Sequence, residues 1–107
     1  MRKARFSMEH IEYDFKTLTR TVSWDVWLSD NKLYRLDNKC VVETICDAEH
    51  GDWKSVIAHN IKPIPKGTQL KVNKVWRNFE GLWVEVDYGG RHYDISPRHL
   101  KYVKRNT

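Results

Sequence analysis

A chain of 107 residues with 40% hydrophobic, 31% charged and 12% aromatic side chains carries enough core material for one domain that folds alone, and is not the composition of a disordered chain. Its longest apolar runs, Cys40-Val41-Val42 and Val56-Ile57-Ala58, are too short for a membrane-crossing helix, and no apolar stretch follows Arg2, Lys3 and Arg5 as a signal peptide requires, so a cytoplasmic protein is expected. The net charge of +5 is uneven: residues 1–52 hold 8 basic and 10 acidic side chains, residues 53–107 hold 11 and 4, and this basic second half suits an anionic partner such as nucleic acid.

Residues 1–7 read as a loose basic arm. The period then becomes two. Ile11, Tyr13 and Phe15 alternate with Glu12 and Asp14, and Leu18, Val22, Trp24, Val26 and Leu28 alternate with Thr19, Thr21, Ser23 and Asp25, which predicts two half-buried strands. Arg20 breaks the apolar face, and Trp27 is the large side chain on the polar one. The turn cluster Ser29-Asp30-Asn31 precedes Leu33, Tyr34 and Leu36, so residues 18–36 read as a hairpin. Residues 40–46, rich in β-branched types, predict another strand, and residues 47–60 an ordered polar excursion.

Lys62-Pro63-Ile64-Pro65-Lys66-Gly67 predicts extended backbone and a turn, because each proline fixes its own φ and biases the residue before it away from helix. Leu70, Val72 and Trp76 then alternate with Lys71 and Asn73; residues 77–81 form a turn; Leu82, Val84, Val86 and Tyr88 alternate with Trp83, Glu85 and Asp87. Gly89-Gly90 is a tight hairpin signal. Tyr93 and Ile95 return on a further strand, Ser96-Pro97-Arg98-His99 makes one short helical turn, and Leu100, Tyr102 and Val103 close the chain. The expected core is Val42, Leu70, Val72, Leu82, Val84, Val86, Ile95 and Leu100, and the expected fold class is all-β.

The residues in this second half match a known pattern. The runs Lys66-Gly67-Thr68-x-Leu70-x-Val72, Gly81-Leu82-Trp83-Val84-Glu85-Val86, Gly90-Arg91-x-Tyr93-x-Ile95-Ser96-Pro97 and Leu100 to Val103 give, in order, a diverging turn, a central hairpin, a short helical turn and a closing strand. Over residues 40–104 the chain thus resembles an SH3-like (Src-homology-3-like) barrel, closest to the bacterial SH3 branch, with residues 8–39 as additional N-terminal strands of the same domain. The resemblance implies a small, strongly bent five-stranded β-barrel that usually binds and rarely catalyses. The eukaryotic members' proline-peptide shelf of aromatic rings is not reproduced: the first aromatic place reads Val42-Glu43-Thr44-Ile45, the Trp place is contested between Leu82 and Trp83, and the Tyr place falls on His99 or Leu100.

Catalytic and metal constellations are weak. Ser55 and His59 stand four apart and Asp94 lies near Ser96, but without a nucleophile elbow; Glu43 with Asp47 and Glu85 with Asp87 read as solvated strand faces. Gly89-Gly90 is followed by neither a helix nor Lys-Ser/Thr. The five histidines and Cys40 and Cys46 lack metal-ligand spacing, and the two cysteines read as small hydrophobes on one strand face. The expectation is therefore no enzyme, no cofactor and no metal.

Binding is better supported by residue type. Lys71, Lys74, Arg77, Arg91, Arg98 and Lys101 are interleaved with aromatics, a mixture that supplies cations for phosphate and rings for bases. Trp76 and Tyr93 have core places on their strands, whereas Trp83 is out of phase with Leu82, Val84 and Val86 and should face outward, as should Trp27, Trp53 and Phe79. Two readings follow. One is a non-catalytic module that binds nucleic acid or a nucleoprotein complex through Lys71, Lys74, Arg77, Trp83, Arg91, Arg98 and Lys101. The other is a protein-docking module, such as a phage or mobile-element inhibitor or adaptor of a host nucleic-acid enzyme.

Overall fold

The computed structural model describes residues 7–47 and 64–106. The expected N-terminal arm, apart from Ser7, and the expected excursion after residue 47 lie outside these residues, as do Trp53, Ser55 and His59. The described residues form an all-β protein of eight strands and one short 3-10 turn: β1 (Met8–Asp14), β2 (Thr19–Trp27), β3 (Leu33–Leu36), β4 (Cys40–Thr44), β5 (Gln69–Asn78), β6 (Gly81–Tyr88), β7 (Arg91–Ile95), the 3-10 turn Pro97–His99, and β8 (Leu100–Arg105). No helix among them is long and apolar enough to cross a membrane.

The strands make two antiparallel sheets. β1, β2 and β3 form a three-stranded meander, and the other five are ordered β7-β6-β5-β4-β8, so the last strand returns to lie beside the first of its sheet. This second sheet is not closed: β7 and β8 are its edges rather than a paired seam. Its opening turn is tied by Thr44, which is 1% exposed. The Thr44 hydroxyl donates to the Pro65 carbonyl (2.7 Å) and accepts from the Thr68 amide (3.0 Å), while the Gly67 amide donates to the Thr44 carbonyl (2.9 Å). At φ 83° Gly67 stands in the left-handed region that a side chain disfavours.

One apolar cluster lies between the sheets. Trp24, Val26, Leu28 and Leu36 enter it from the first sheet and its turn, and Cys40, Val42, Leu70, Val72, Val75, Val84, Val86, Tyr93, Ile95 and Leu100 from the second, with Ile64. Burial of alternate side chains on both inner faces is what the period-two pattern dictates, and removing this apolar area from water is the main force holding the sheets together. Of the eight expected core residues, seven are buried; Leu82 is the correction, packing only partly buried against the cluster near the end of its strand.

The larger correction is in β5. The ladder to β6 pairs Val72 with Val86 but Lys74 with Glu85, so a β-bulge inserts one residue. Beyond it the strand's phase reverses: Val75 takes the buried place, and Trp76 stands on the outer face with its indole N–H donating to Asp94 (2.8 Å). Cys46 also differs from its expectation, since β4 ends at Thr44 and only Cys40 is fully buried.

The first two strands are less buried than their alternation suggests. Ile11, Tyr13 and Val22 share the face of Trp24 and Leu36, yet Ile11 is 44% and Tyr13 62% exposed. The β1–β2 hairpin projects beyond the core, leaving Ile11 and Tyr13 exposed, while Val22 borders a cleft shared with the second sheet.

Candidate binding surfaces

The seven candidate residues fall in four places. Lys71 and Lys101 lie on the outer side of the five-stranded sheet, and Lys74, paired with Glu85 at the β5 bulge, stands where that side meets a basic cleft; carboxylates are interleaved with all three. Lys101 bonds Glu43 at 3.0 Å, Lys74 is opposite Glu85, and the Lys71 charge acts on Asp87. Glu43 consequently sits below the ordinary carboxylate range, held there first by the Lys101 hydrogen bond; Asp87 is lowered too, first by Asn73 and then by His92. Arg91 is exposed at the β6–β7 hairpin beside Tyr88. Arg77 is turned toward the first sheet: its guanidinium lies 5.3 Å from the Trp24 ring centroid and donates to the Ser7 carbonyl (2.9 Å).

Trp83 and Arg98 do meet. With Trp27, Leu82, Pro97 and His99 they line a cleft of about 310 Å³ between the β2 end, the β6 start and the 3-10 turn. Trp83 stands opposite Trp76 and its indole N–H donates to Asn78 (3.0 Å), whose carboxamide oxygen also accepts the amides of Glu80 and Gly81. That turn therefore locks the ring. Leu100 is fully buried, so the residue presented to this cleft is His99. Phe79, at 96% exposure, is outside it at the turn tip.

A second cleft, of about 400 Å³, gathers cations that the sequence reading did not group. It opens between the β2 and β3 end of the first sheet, the β3–β4 turn, the β5 bulge and the end of β8. Arg20, Lys39, Lys74 and Arg105 line it, with Asn38, Asn73 and Thr21 as uncharged polar groups and Asp37 as the one carboxylate. Asp37 is committed: Arg105 forms an ion pair with it, and it accepts the Lys39 amide at 2.9 Å. The pairing holds the Arg105 guanidinium above its ordinary value, chiefly through the hydrogen bond to Asp37. Trp24 lines the floor, and its buried indole N–H has no hydrogen-bond partner among the described residues. A groove with a +3 charge excess and an aromatic wall attracts anions and can hold them against neutral donors.

The one sequence signal for this cleft was Arg20, which interrupts the apolar face of β2. Its partners come from strands distant in the chain, so nothing local announces them. Asp94, a catalytic candidate by proximity to Ser96, is occupied by Trp76, and no group of three or more metal-binding side chains occurs among the described residues. Comparisons with protein-family models, with characterised proteins and with solved structures find no match to this chain.

Proposed function

We propose that this protein is a non-catalytic module that binds nucleic acid, free or within a nucleoprotein complex, and that the phosphate backbone enters the cleft between the two sheets. The observation that carries the reading is the convergence of Arg20, Lys39, Lys74 and Arg105 around a single, already paired carboxylate. Phosphate contacts need cations with flanking neutral donors, and Asn38 and Thr21 supply the latter, whereas the Asn73 amide is engaged by Asp87. Trp83 and Arg98, in the aromatic cleft, offer a ring and a cation for a base and its phosphate. Lys71, Arg77, Arg91 and Lys101 contribute to the long-range field.

The SH3-like resemblance over residues 40–104 belongs to the same proposal. Strand order β7-β6-β5-β4-β8 and a 3-10 turn before the last strand support it, with the sheet left open. On that reading the aromatic row of proline-peptide binders is replaced by Trp83 and His99, and the protein acts in the cytoplasm.

The test is a binding titration of the whole chain with single-stranded and duplex DNA and RNA across salt concentrations. Three or four phosphate contacts give a log–log salt slope of about −3 to −4 on duplex and about −2 to −3 on a single strand. Absence of binding at low salt refutes the reading. A second reading, a protein-docking module, is favoured by a separate observation: the exposed apolar face of the β1–β2 hairpin, with Tyr13 and Phe15 stacked at 6.3 Å.

A further inference from the structure

β1 is an edge strand, and its sequence Met-Glu-His-Ile-Glu-Tyr-Asp contains neither the proline nor the lysine that commonly guards such an edge. Its second side is free among the described residues over all seven positions, and beside it lies the exposed apolar face of Ile11, Tyr13 and Val22. We infer that this edge pairs with the same edge of a second copy, antiparallel, about a two-fold axis through Ile11.

Charge selects that register. With Ile11 opposite itself, all seven residues pair, and each acidic residue meets a non-acidic one: Glu9 faces Tyr13, Glu12 faces His10, and Asp14 faces Met8. Slipping by one residue places Glu9 opposite Glu12 in one direction and opposite Asp14 in the other; slipping by two leaves only five residues paired either way, and in one direction places Glu12 opposite itself. Like charges directly opposite destabilise a ladder, and the Ile11-centred register avoids every such pair, with His10 engaged by Asp25 of its own copy.

The same register joins the apolar faces. Opposite residues in an antiparallel pair project to the same side, so the row Val22–Ile11 of one copy continues into Ile11–Val22 of the other. Four side chains that are each exposed in the single copy become neighbours, flanked by Tyr13 from both. A two-fold operation gives an isologous contact that closes at a dimer, so it does not propagate into a fibre. The inference rests on this edge and not on the nucleic-acid reading; Val22 also lines the basic cleft, so association is measured without nucleic acid to keep the two apart.

The experiment is sedimentation of the full chain over a wide concentration range, without nucleic acid. A monomer–dimer equilibrium is expected, and Ile11→Asp, which sets two carboxylates opposite each other at the axis, should weaken association by about tenfold or more. Because Ile11 is 44% exposed, folding of this variant is checked by its unfolding curve. Ile11→Cys with oxidised glutathione should yield a disulfide-linked dimer. Met8→Cys should not, since its two copies would stand about 20 Å apart. A chain that stays monomeric at every concentration, a dimer indifferent to Ile11→Asp, or equal cross-linking from positions 8 and 11 overturns the inference.

Discussion

Tyr34 of β3 and Tyr102 of β8 stack with ring centroids 4.7 Å apart and planes 7° from parallel, so the first sheet is clasped to the last strand of the second. The Ser29 amide, which donates to the Leu100 carbonyl at 3.1 Å, reinforces the same junction, and Tyr34 is itself steadied by its hydroxyl bond to Asp30. A double-mutant cycle with Tyr34→Leu and Tyr102→Leu is expected to return a coupling of about 0.5–1.5 kcal/mol in urea unfolding. Additive losses would mean that the rings do not hold the sheets together.

The β5 bulge makes neighbouring positions respond oppositely. Val75→Asn puts an amide into a site that is 7% exposed and should cost about 1–3 kcal/mol, whereas Lys74→Asn should stay within about 0.5 kcal/mol. Leu70→Ala, before the bulge, should cost about 2–5 kcal/mol. Equal effects at 74 and 75 would place the phase change elsewhere.

If the cleft holds the phosphate backbone as proposed, Lys39→Ala and Lys74→Ala should each reduce the magnitude of the salt slope in nucleic-acid titrations by about one unit, one for each phosphate contact removed. Arg91→Ala, remote from the cleft on the β6–β7 hairpin, should lower affinity modestly at low salt and change the slope by clearly less than one unit, since it acts only through the screened long-range field. Arg105→Ala is a poor probe, since it strands the Asp37 carboxylate, whose side chain is 4% exposed, and should itself destabilise the fold.

Stability should decline in acid. Burial pushes the Asp25 carboxyl up, but the hydrogen bonds from His10 (2.7 Å) and Arg35 (2.8 Å), with the charges of both partners, outweigh it and leave the group below its ordinary value. Glu43 and Asp87 are lowered as well. A carboxyl with a depressed folded value binds its proton more readily in the unfolded chain. Its contribution is thus complete above the ordinary carboxylate range near about 4 and is lost as pH falls through the folded value. The urea midpoint should drop across that window, and Asp25→Asn should show a smaller drop.

Much of the architecture was legible in the residues because the side-chain period of a strand is two and leaves its mark locally. The alternation of Val84, Val86, Tyr93 and Ile95, the Gly89-Gly90 turn and the short turn after Ser96 all appear where the sequence places them. The outward place of Trp83, out of phase with its neighbours, was legible for the same reason.

What the sequence by itself determined is therefore the all-β class, the order of the strands and most of the inner face, since each follows from neighbours within a few residues. Tertiary structure alone decided three things. The bulge exchanged Val75 for Trp76, because a register shift is settled by the partner strand, although Lys74 in the apolar phase of Leu70 and Val72 hinted at it. The end of the second sheet left Ile11 and Tyr13 in the open, because alternation says which face a residue takes but not how far the opposing sheet extends. The basic cleft arose from Arg20, Lys39, Lys74 and Arg105, since side chains from four separate elements become neighbours only when the two sheets pack, and net charge records how many cations a chain has but not where they meet.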